Sequence, residues 1–338
     1  AIAGELPPGQ VQLPDAERTK LRGEAAVIRA FMGAYRGDGA AIIRHTRQAL
    51  QDLPRRASTW RTVAAITLGD AQAFGGDMPA ARQAYLDALD ACRAAGDLYF
   101  PLVVNLKLAN TLRAQGRLRE TVELCRQQLR SADARGLSRT LAAACLLSIW
   151  GETLAELGDL EGATERARKG VELTEQGGDL AMLGWCYICL VRVLFSNGDL
   201  AGAQALVHKT QRLARESDLP PWFARRMVIW QARIWLVRGK VETALQWARE
   251  RGVDVDGAPQ PPQELDFFQM FEQILLARLV LAGGRSEQAS ELLQRLLELA
   301  QAAGRTTRTI EIGMLQAFAF QAAGEPGRAM DALESALA

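Results

Sequence analysis

Polar turns centred on glycine interrupt the chain at a near-constant interval, and small or apolar residues take fixed places on either side of them. The turns read Arg36-Gly37-Asp38, Gly75-Gly76-Asp77, Gln115-Gly116-Arg117, Leu157-Gly158-Asp159, Asn197-Gly198-Asp199, Arg238-Gly239-Lys240, Gly283-Gly284-Arg285 and Ala323-Gly324-Glu325. Their central glycines are separated by 39, 40, 42, 40, 41, 45 and 40 residues. Seven positions before them stand Ala30, Gly69, Ala109, Gly151, Val191, Ala232, Ala277 and Ala317. Five positions after them stand Ile42, Ala81, Thr121, Ala163, Ala203, Ala244, Ala289 and Ala329. Between the turns the chain is rich in Ala, Leu, Arg, Glu and Gln, which are strong helix formers. Each turn is therefore predicted to join two antiparallel helices. The glycine ends the first helix in a left-handed conformation, and the polar residue after it, often Asp, caps the second. Small side chains at one fixed height on both helices let the backbones approach closely, so every pair packs at a similar angle.

Two small positions flanking a turn glycine are the core of the tetratricopeptide pattern. The expected fold is all-α: a right-handed superhelical solenoid of about eight tetratricopeptide-like helix pairs in roughly 40-residue repeats. Residues beyond the usual unit lengthen the helices and the links between pairs, which contain Gly96-Asp97, Gly136, Gly177-Gly178-Asp179, Asp218-Leu219-Pro220 and Gly304. The longest irregular stretch, Gly252 to Pro262, cannot be helical throughout because of its prolines, and reads as a surface loop between pairs six and seven. Residues 1–14 read as a linker or frayed N-terminus and residues 15–338 as a single solenoid domain. The missing initiating Met, and a helix pair barely finished at Ala338, read as a piece cut from a longer protein.

With 49% hydrophobic and 23% charged residues, the chain can bury a large interior and still dissolve. A formal charge of +1 argues against a dedicated nucleic-acid or polyanion surface. The sequence offers no bilayer-length apolar run and no signal peptide, and five scattered cysteines make no disulfide framework; a reducing cytoplasm fits best. Nothing points to catalysis, a metal or a cofactor. Cys186 and Cys189 lie mid-helix and read as core. His45 and His208 stand outside any triad or metal-binding context, and Gly239-Lys240 lacks the rest of a phosphate loop. Trp60, Trp150, Trp230, Trp235 and Trp247 read as packing residues. Glu161 and Glu165 lie on a solvated helix face, and Pro54-Arg55-Arg56 with Arg61 marks a link between helices.

The first helix of each pair lines the concave face in this repeat class. Six positions before each turn glycine stand Phe31, Asp70, Asn110, Glu152, Arg192, Arg233, Arg278 and Phe318. Two turns further back, the same face carries Trp185, Arg226 and Phe271, with Tyr187 and Asn105 on its margin. One reading is a ligand groove with an acidic wall (Asp70, Glu152) facing a basic ladder (Arg192, Arg226, Arg233, Arg278), with Trp185 and Phe271 as stacking platforms. Arginine forks recognise carboxylates or phosphates, and flat aromatics suit rings and sugars. The other reading is a network in which these side chains pair across repeats and fix the pitch of the spiral.

Several stretches, taken in order, resemble the helical sensor domain of MalT-like transcription regulators, which join a signal-transduction ATPase module to a solenoid and then to a LuxR-type helix-turn-helix. They are Leu21-Arg22-Gly23-Glu24-Ala25-Ala26 through Gly37-Asp38, Thr67-Leu68-Gly69-Asp70-Ala71, and Trp230-Gln231-Ala232-Arg233-Ile234-Trp235-Leu236 with Trp247-Ala248. Leu276-Ala277-Arg278-Leu279-Val280-Leu281-Ala282-Gly283-Gly284 and Ala302-Ala303-Gly304-Arg305 continue the series. The resemblance runs from about residue 15 to the end. It implies a cytoplasmic, non-enzymatic domain that senses a small-molecule effector in its groove and controls the ATPase and DNA-binding domains of its parent. The alternative is a tetratricopeptide scaffold gripping a peptide or partner domain. Neither the family's phosphate loop nor its helix-turn-helix is in this sequence, so ATP hydrolysis and direct nucleic-acid binding are not expected of it, and with no bilayer-length apolar run and a charge of +1 neither is membrane contact.

Overall fold

The computed structural model describes residues 13–54, 58–217, 220–257 and 267–337. Most of the expected N-terminal linker, Arg55-Arg56, Asp218-Leu219 and the proline-rich part of the long loop lie outside the described residues. Within them the chain is all-helical, with eight antiparallel pairs and no strand. The inner helices are α1 (Asp15–Arg36), α3 (Thr59–Gly75), α5 (Phe100–Ala114), α7 (Leu141–Glu156), α9 (Leu180–Ser196), α11 (Pro221–Val237), α13 (Phe267–Ala282) and α15 (Thr306–Ala322). Their partners are α2 (Gly39–Asp52), α4 (Met78–Ala95), α6 (Leu118–Ala134), α8 (Leu160–Glu175), α10 (Leu200–Glu216), α12 (Val241–Glu250), α14 (Ser286–Ala302) and α16 (Pro326–Leu337).

The turn chemistry explains these boundaries. All eight repeat glycines have φ between 70° and 94°, a region other residues enter only with strain. Where Asp follows the glycine it caps the next helix: Asp38, Asp77, Asp159 and Asp199 accept from Ala41 N, Ala80 N, Gly162 N and Gly202 N at 2.8–2.9 Å. Arg117, Lys240 and Arg285 hold the same place without a side-chain cap, since a cation cannot accept from a backbone N–H. Arg61 instead serves the other end of a helix, donating to the carbonyls of Leu53 and Pro54 just past α2 at 3.2 and 3.4 Å.

Both small-residue columns are buried throughout, from Ala30 and Ile42 in the first pair to Ala317 and Ala329 in the last. At Gly69 the approach is closest: a Cβ there would lie 2.3 Å from the Tyr85 ring. The main core runs between inner and outer helices from α5 to α11, filled by residues such as Leu146, Ile149, Val191, Phe223 and Ile234. All five cysteines are free and buried, and Cys186 and Cys189 sit within that core region. No described helix is long and apolar enough to cross a membrane.

The spiral curls back on itself. α13 packs against α3, and α15 against α5. The turn between α14 and α15 docks on the turns of pairs two and three: Met78 N donates to Ala303 O at 3.3 Å, and Thr307 Oγ1 to Ala114 O at 3.3 Å. Gly76 leaves room for the Arg305 guanidinium, and Gly304 lies against Pro79. On the inside, Trp222 Nε1 of α11 donates to Tyr35 O of α1 at 3.0 Å. The expected groove is thereby narrowed to a part-enclosed lumen lined by inner helices.

Gly69→Ala is expected to lower stability by about 1–3 kcal/mol, because the rigid Tyr85 ring must move. Gly39→Ala, where an added Cβ meets nothing within 4 Å, should be neutral or stabilising by up to about 1 kcal/mol. Urea unfolding of the two variants checks the contrast.

Candidate ligand-binding lumen

Three compartments follow one another along the lumen. The first is a chamber of about 170 Å³ between α1, α3, α5, α7, α9 and α11. Its wall is chiefly apolar, with Phe31, Tyr35, Phe74, Met182, Trp185 and Trp222 contributing the large surfaces. Its polar groups are few. Asp70 is buried, accepts from Tyr85 Oη at 2.7 Å and pairs with Lys107 Nζ at 3.0 Å. Asn110 Oδ1 lies 3.5 Å from an Arg113 Nη.

The second compartment is a buried ionic lattice. Arg113 of α5 bridges to α7, reaching Glu152 at 3.4 Å and Glu156 at 2.8 Å, and Arg192 of α9 binds the same two carboxylates from the other side. Further along, Glu311 of α15 is gripped by Arg278 at 2.8 Å, by Arg233 at 3.6 Å and by Arg308. Burial works against the Glu311 charge, but Arg308, Arg233 and Arg278 outweigh it and hold the carboxyl far below the usual range. Burial likewise opposes the Arg113 charge, and Glu152 and Glu156 overcome it and raise its pKa.

This lattice is not neutral. Among the described residues it holds six guanidiniums (Arg113, Arg192, Arg226, Arg233, Arg278, Arg308) against three carboxylates (Glu152, Glu156, Glu311), an excess of three positive charges. Arg226 carries the imbalance most openly. Its guanidinium lies 3.5 Å from the Phe271 ring centroid, with Arg308 at 4.6 Å from the same ring, and no carboxylate among the described residues pairs with it. Burial, then repulsion from Arg308, pushes its pKa down to about 9. Arg233, lying 4.5 Å over Trp230, is pushed down to about 9 by burial despite Glu311 beside it. A void of about 20 Å³ remains between Arg113, Glu152, Trp185, Trp222, Arg226 and Phe271.

The third compartment is wider and more open, about 490 Å³, edged by Phe195, Arg233, Arg278, Leu315 and the exposed Phe318.

Every residue of the sequence-predicted column, Asp70 to Arg278, borders the lumen or its lattice, as do Trp185, Arg226 and Phe271. Of the expected acidic wall, Asp70 is tied to Lys107, while Glu152 meets the basic ladder at Arg192, 3.5 Å away, and is bound from the other side by Arg113. Tyr187 and Asn105 serve elsewhere. Tyr187 donates to Glu175 at 2.7 Å beside Lys209, and Asn105 donates to the Pro101 carbonyl of its own helix at 2.7 Å. Sequence reasoning missed Lys107, Arg113, Glu156, Trp222, Arg308 and Glu311. Two of these had a signal. Trp185, Arg226 and Phe271 each stand thirteen positions before a turn glycine, and the next member of that series is Glu311. Glu156 stands two positions before its glycine, where Tyr35, Phe74 and Ala114 also line the lumen.

Fold and lumen together define a tetratricopeptide-type solenoid closed around a charged interior. Within that class the chain belongs to the family of the MalT-like TPR region, whose profile matches residues 23–338. No curated protein matches it in sequence. Among solved structures it is similar to a Rap protein complexed with Competence and Sporulation Factor, at 13% identity and a TM-score of 0.72, covering 97% of this chain and 88% of that one. It also matches a tetratricopeptide repeat protein from Parabacteroides merdae (13% identity, TM-score 0.48, 89% and 99% covered) and yeast Tom70 (13% identity, TM-score 0.49, 98% and 66% covered). At these identities the likeness is one of fold.

Glu311→Gln removes the carboxylate shared by three guanidiniums and is expected to destabilise the chain by about 3–5 kcal/mol. Because the folded Glu311 pKa lies below its unfolded value, its contribution is complete above the unfolded carboxylate range and is lost as pH falls through that range and below. Unfolding free energies measured from pH 7 to 3 should fall more steeply for the parent chain than for Glu311→Gln.

Proposed function

We propose that this chain is the effector-sensing regulatory domain of a MalT-like transcription activator, which binds a small molecule in its lumen and controls an attached ATPase and oligomerisation module. The observation that carries this reading is the apolar chamber set against a lattice with surplus positive charge among the described residues. A purely structural network would be expected to balance its charges, whereas a binding site holds some in reserve for a ligand. Control would work by population shift: an effector that binds one arrangement of the superhelix more tightly favours that arrangement. The docking of the α14–α15 turn on pairs two and three is the contact such a shift would make or break.

The reading is one of binding, not catalysis. Cys145, the thiol that borders the chamber, is held well above its ordinary pKa by its hydrogen bond with Cys186 and by burial, which makes it a poor nucleophile. Five free, buried cysteines suit a reducing cytoplasm. A second reading, a scaffold for a peptide or partner domain, draws on the open third compartment with its exposed Phe318 and Val237. The Rap protein complexed with Competence and Sporulation Factor is a precedent for a factor held by this fold.

A thermal-shift screen of metabolites separates the two. Effectors should raise the melting temperature of the parent chain, and the rise should vanish in Ala73→Trp, which fills the first chamber. Ligands whose affinity ignores Ala73→Trp, Arg233→Ala and Arg278→Ala would place the site outside the lumen. A bound protein partner, with no stabilising metabolite, would favour the scaffold.

A further inference from the structure

The inference concerns the chemical class of the effector, and it rests on reading the lumen as the effector site. The first chamber and the small central void share two walls, Trp185 and Trp222. On one side of these indoles lies apolar space of about 170 Å³; a dry cavity of about 150 Å³ already holds benzene. On the other side lies room for about one water.

Around that second space two buried donors lack an acceptor and a third group lacks a counter-charge. Arg226 has a charge without a carboxylate among the described residues, stacked on Phe271. The Trp185 indole Nε1 is buried with no acceptor, and so is Arg113 Nε. All three are donors. A buried donor left unpaired costs stability, and here the unmet donors border a void next to an excess of three positive charges. What would satisfy them is a small, flat acceptor with negative charge.

A carboxylate meets that description. It is planar, it takes two or three donors, and it matches the guanidinium fork. A phosphate is bulkier than a void of about 20 Å³ admits, and with its higher charge it would be repelled more strongly than a carboxylate by Glu152 on the same wall. A sugar would bury many hydroxyls in a chamber whose principal polar groups, Asp70 and Lys107, already bind each other. We propose that the effector is a hydrophobic monocarboxylate, with an aromatic ring or short alkyl chain in the first chamber and its carboxylate reaching Arg226 by displacing the edge-to-face contact of Trp185 and Trp222, whose ring centroids lie 6.4 Å apart.

Benzoate, 3-phenylpropionate and hexanoate are suitable probes, titrated into the 338-residue chain by calorimetry and by tryptophan fluorescence, with 3-phenylpropanamide as the neutral counterpart. At least one acid should bind and perturb the emission. The amide should bind about tenfold more weakly than its acid, since it loses the charge-assisted bonds. Arg226→Gln should weaken the acid by a similar factor and leave the amide unchanged, and Arg226→Lys should restore part of the loss. Circular dichroism confirms that each variant is folded, and because Arg226 has no ion pair among the described residues to lose, neither substitution should unfold the chain. Equal binding of acid and amide, or an Arg226→Gln variant that binds the acid normally, overturns the carboxylate assignment. So does failure of all three acids while a neutral metabolite binds in a manner sensitive to Ala73→Trp; the lumen reading then survives alone. If neither the acids nor any metabolite binds, both readings fall together.

Discussion

The close approach of paired helices is the constraint from which the rest of this molecule follows. Small side chains before and after each turn glycine bring inner and outer backbones together at one height in every repeat, and at Gly69 and Gly151 even a methyl group would clash. A uniform pair stacks on its neighbour with a nearly uniform rotation, so the superhelix is the sum of many equal small steps. Over eight pairs that sum brings the turn at Ala303 against Met78 and the indole of Trp222 against the Tyr35 carbonyl. The lumen is a consequence of local packing repeated often enough to meet itself.

Closure changes what the inner side chains can do. On an open concave face, arginines and glutamates would be solvated, and their pairing would be worth little. Enclosed between inner helices, each must be compensated or destabilise the fold. Glu311 shows how that is done. One carboxylate on α15 satisfies guanidiniums from α11, α13 and its own helix, tying three repeats to a single charge. Arg113 and Arg192 do the same from opposite sides of α7. The network reading of the polar column thus accounts for one part of the lattice, and the proposed ligand site draws on another. The glutamate-bound arginines brace the spiral, while Arg226, stacked on Phe271, retains an unanswered charge.

The repeat also shows what its turns require. Asp after the turn glycine caps four of the outer helices, yet Arg or Lys at the same place still begins α6, α12 and α14. The cap is therefore a local stabiliser, and the helix pair is specified by the glycine and the small-residue columns. That explains why the register persists through the irregular spacing around the long loop.

The sequence by itself determined the helix pairs, their boundaries and the face each inner helix presents. These depend on local rules: a left-handed turn residue, a small contact position, and a periodicity that puts residues six and thirteen before the glycine on one side. Asp70, Glu152, Arg192, Arg226, Arg233 and Arg278 could be named for that reason, and the same rule extended one repeat further reaches Glu311. Only the tertiary structure decided that the groove is bridged and how its charges are shared. The contacts that close it join residues separated by 187 and 193 positions, and no periodic signal records them. They arise from rotations too small to read in any one repeat, accumulated until the later pairs meet the earlier ones. Which arginine is left without a carboxylate depends on where those accumulated rotations place Glu152, Glu156 and Glu311. That was settled in three dimensions, not along the chain.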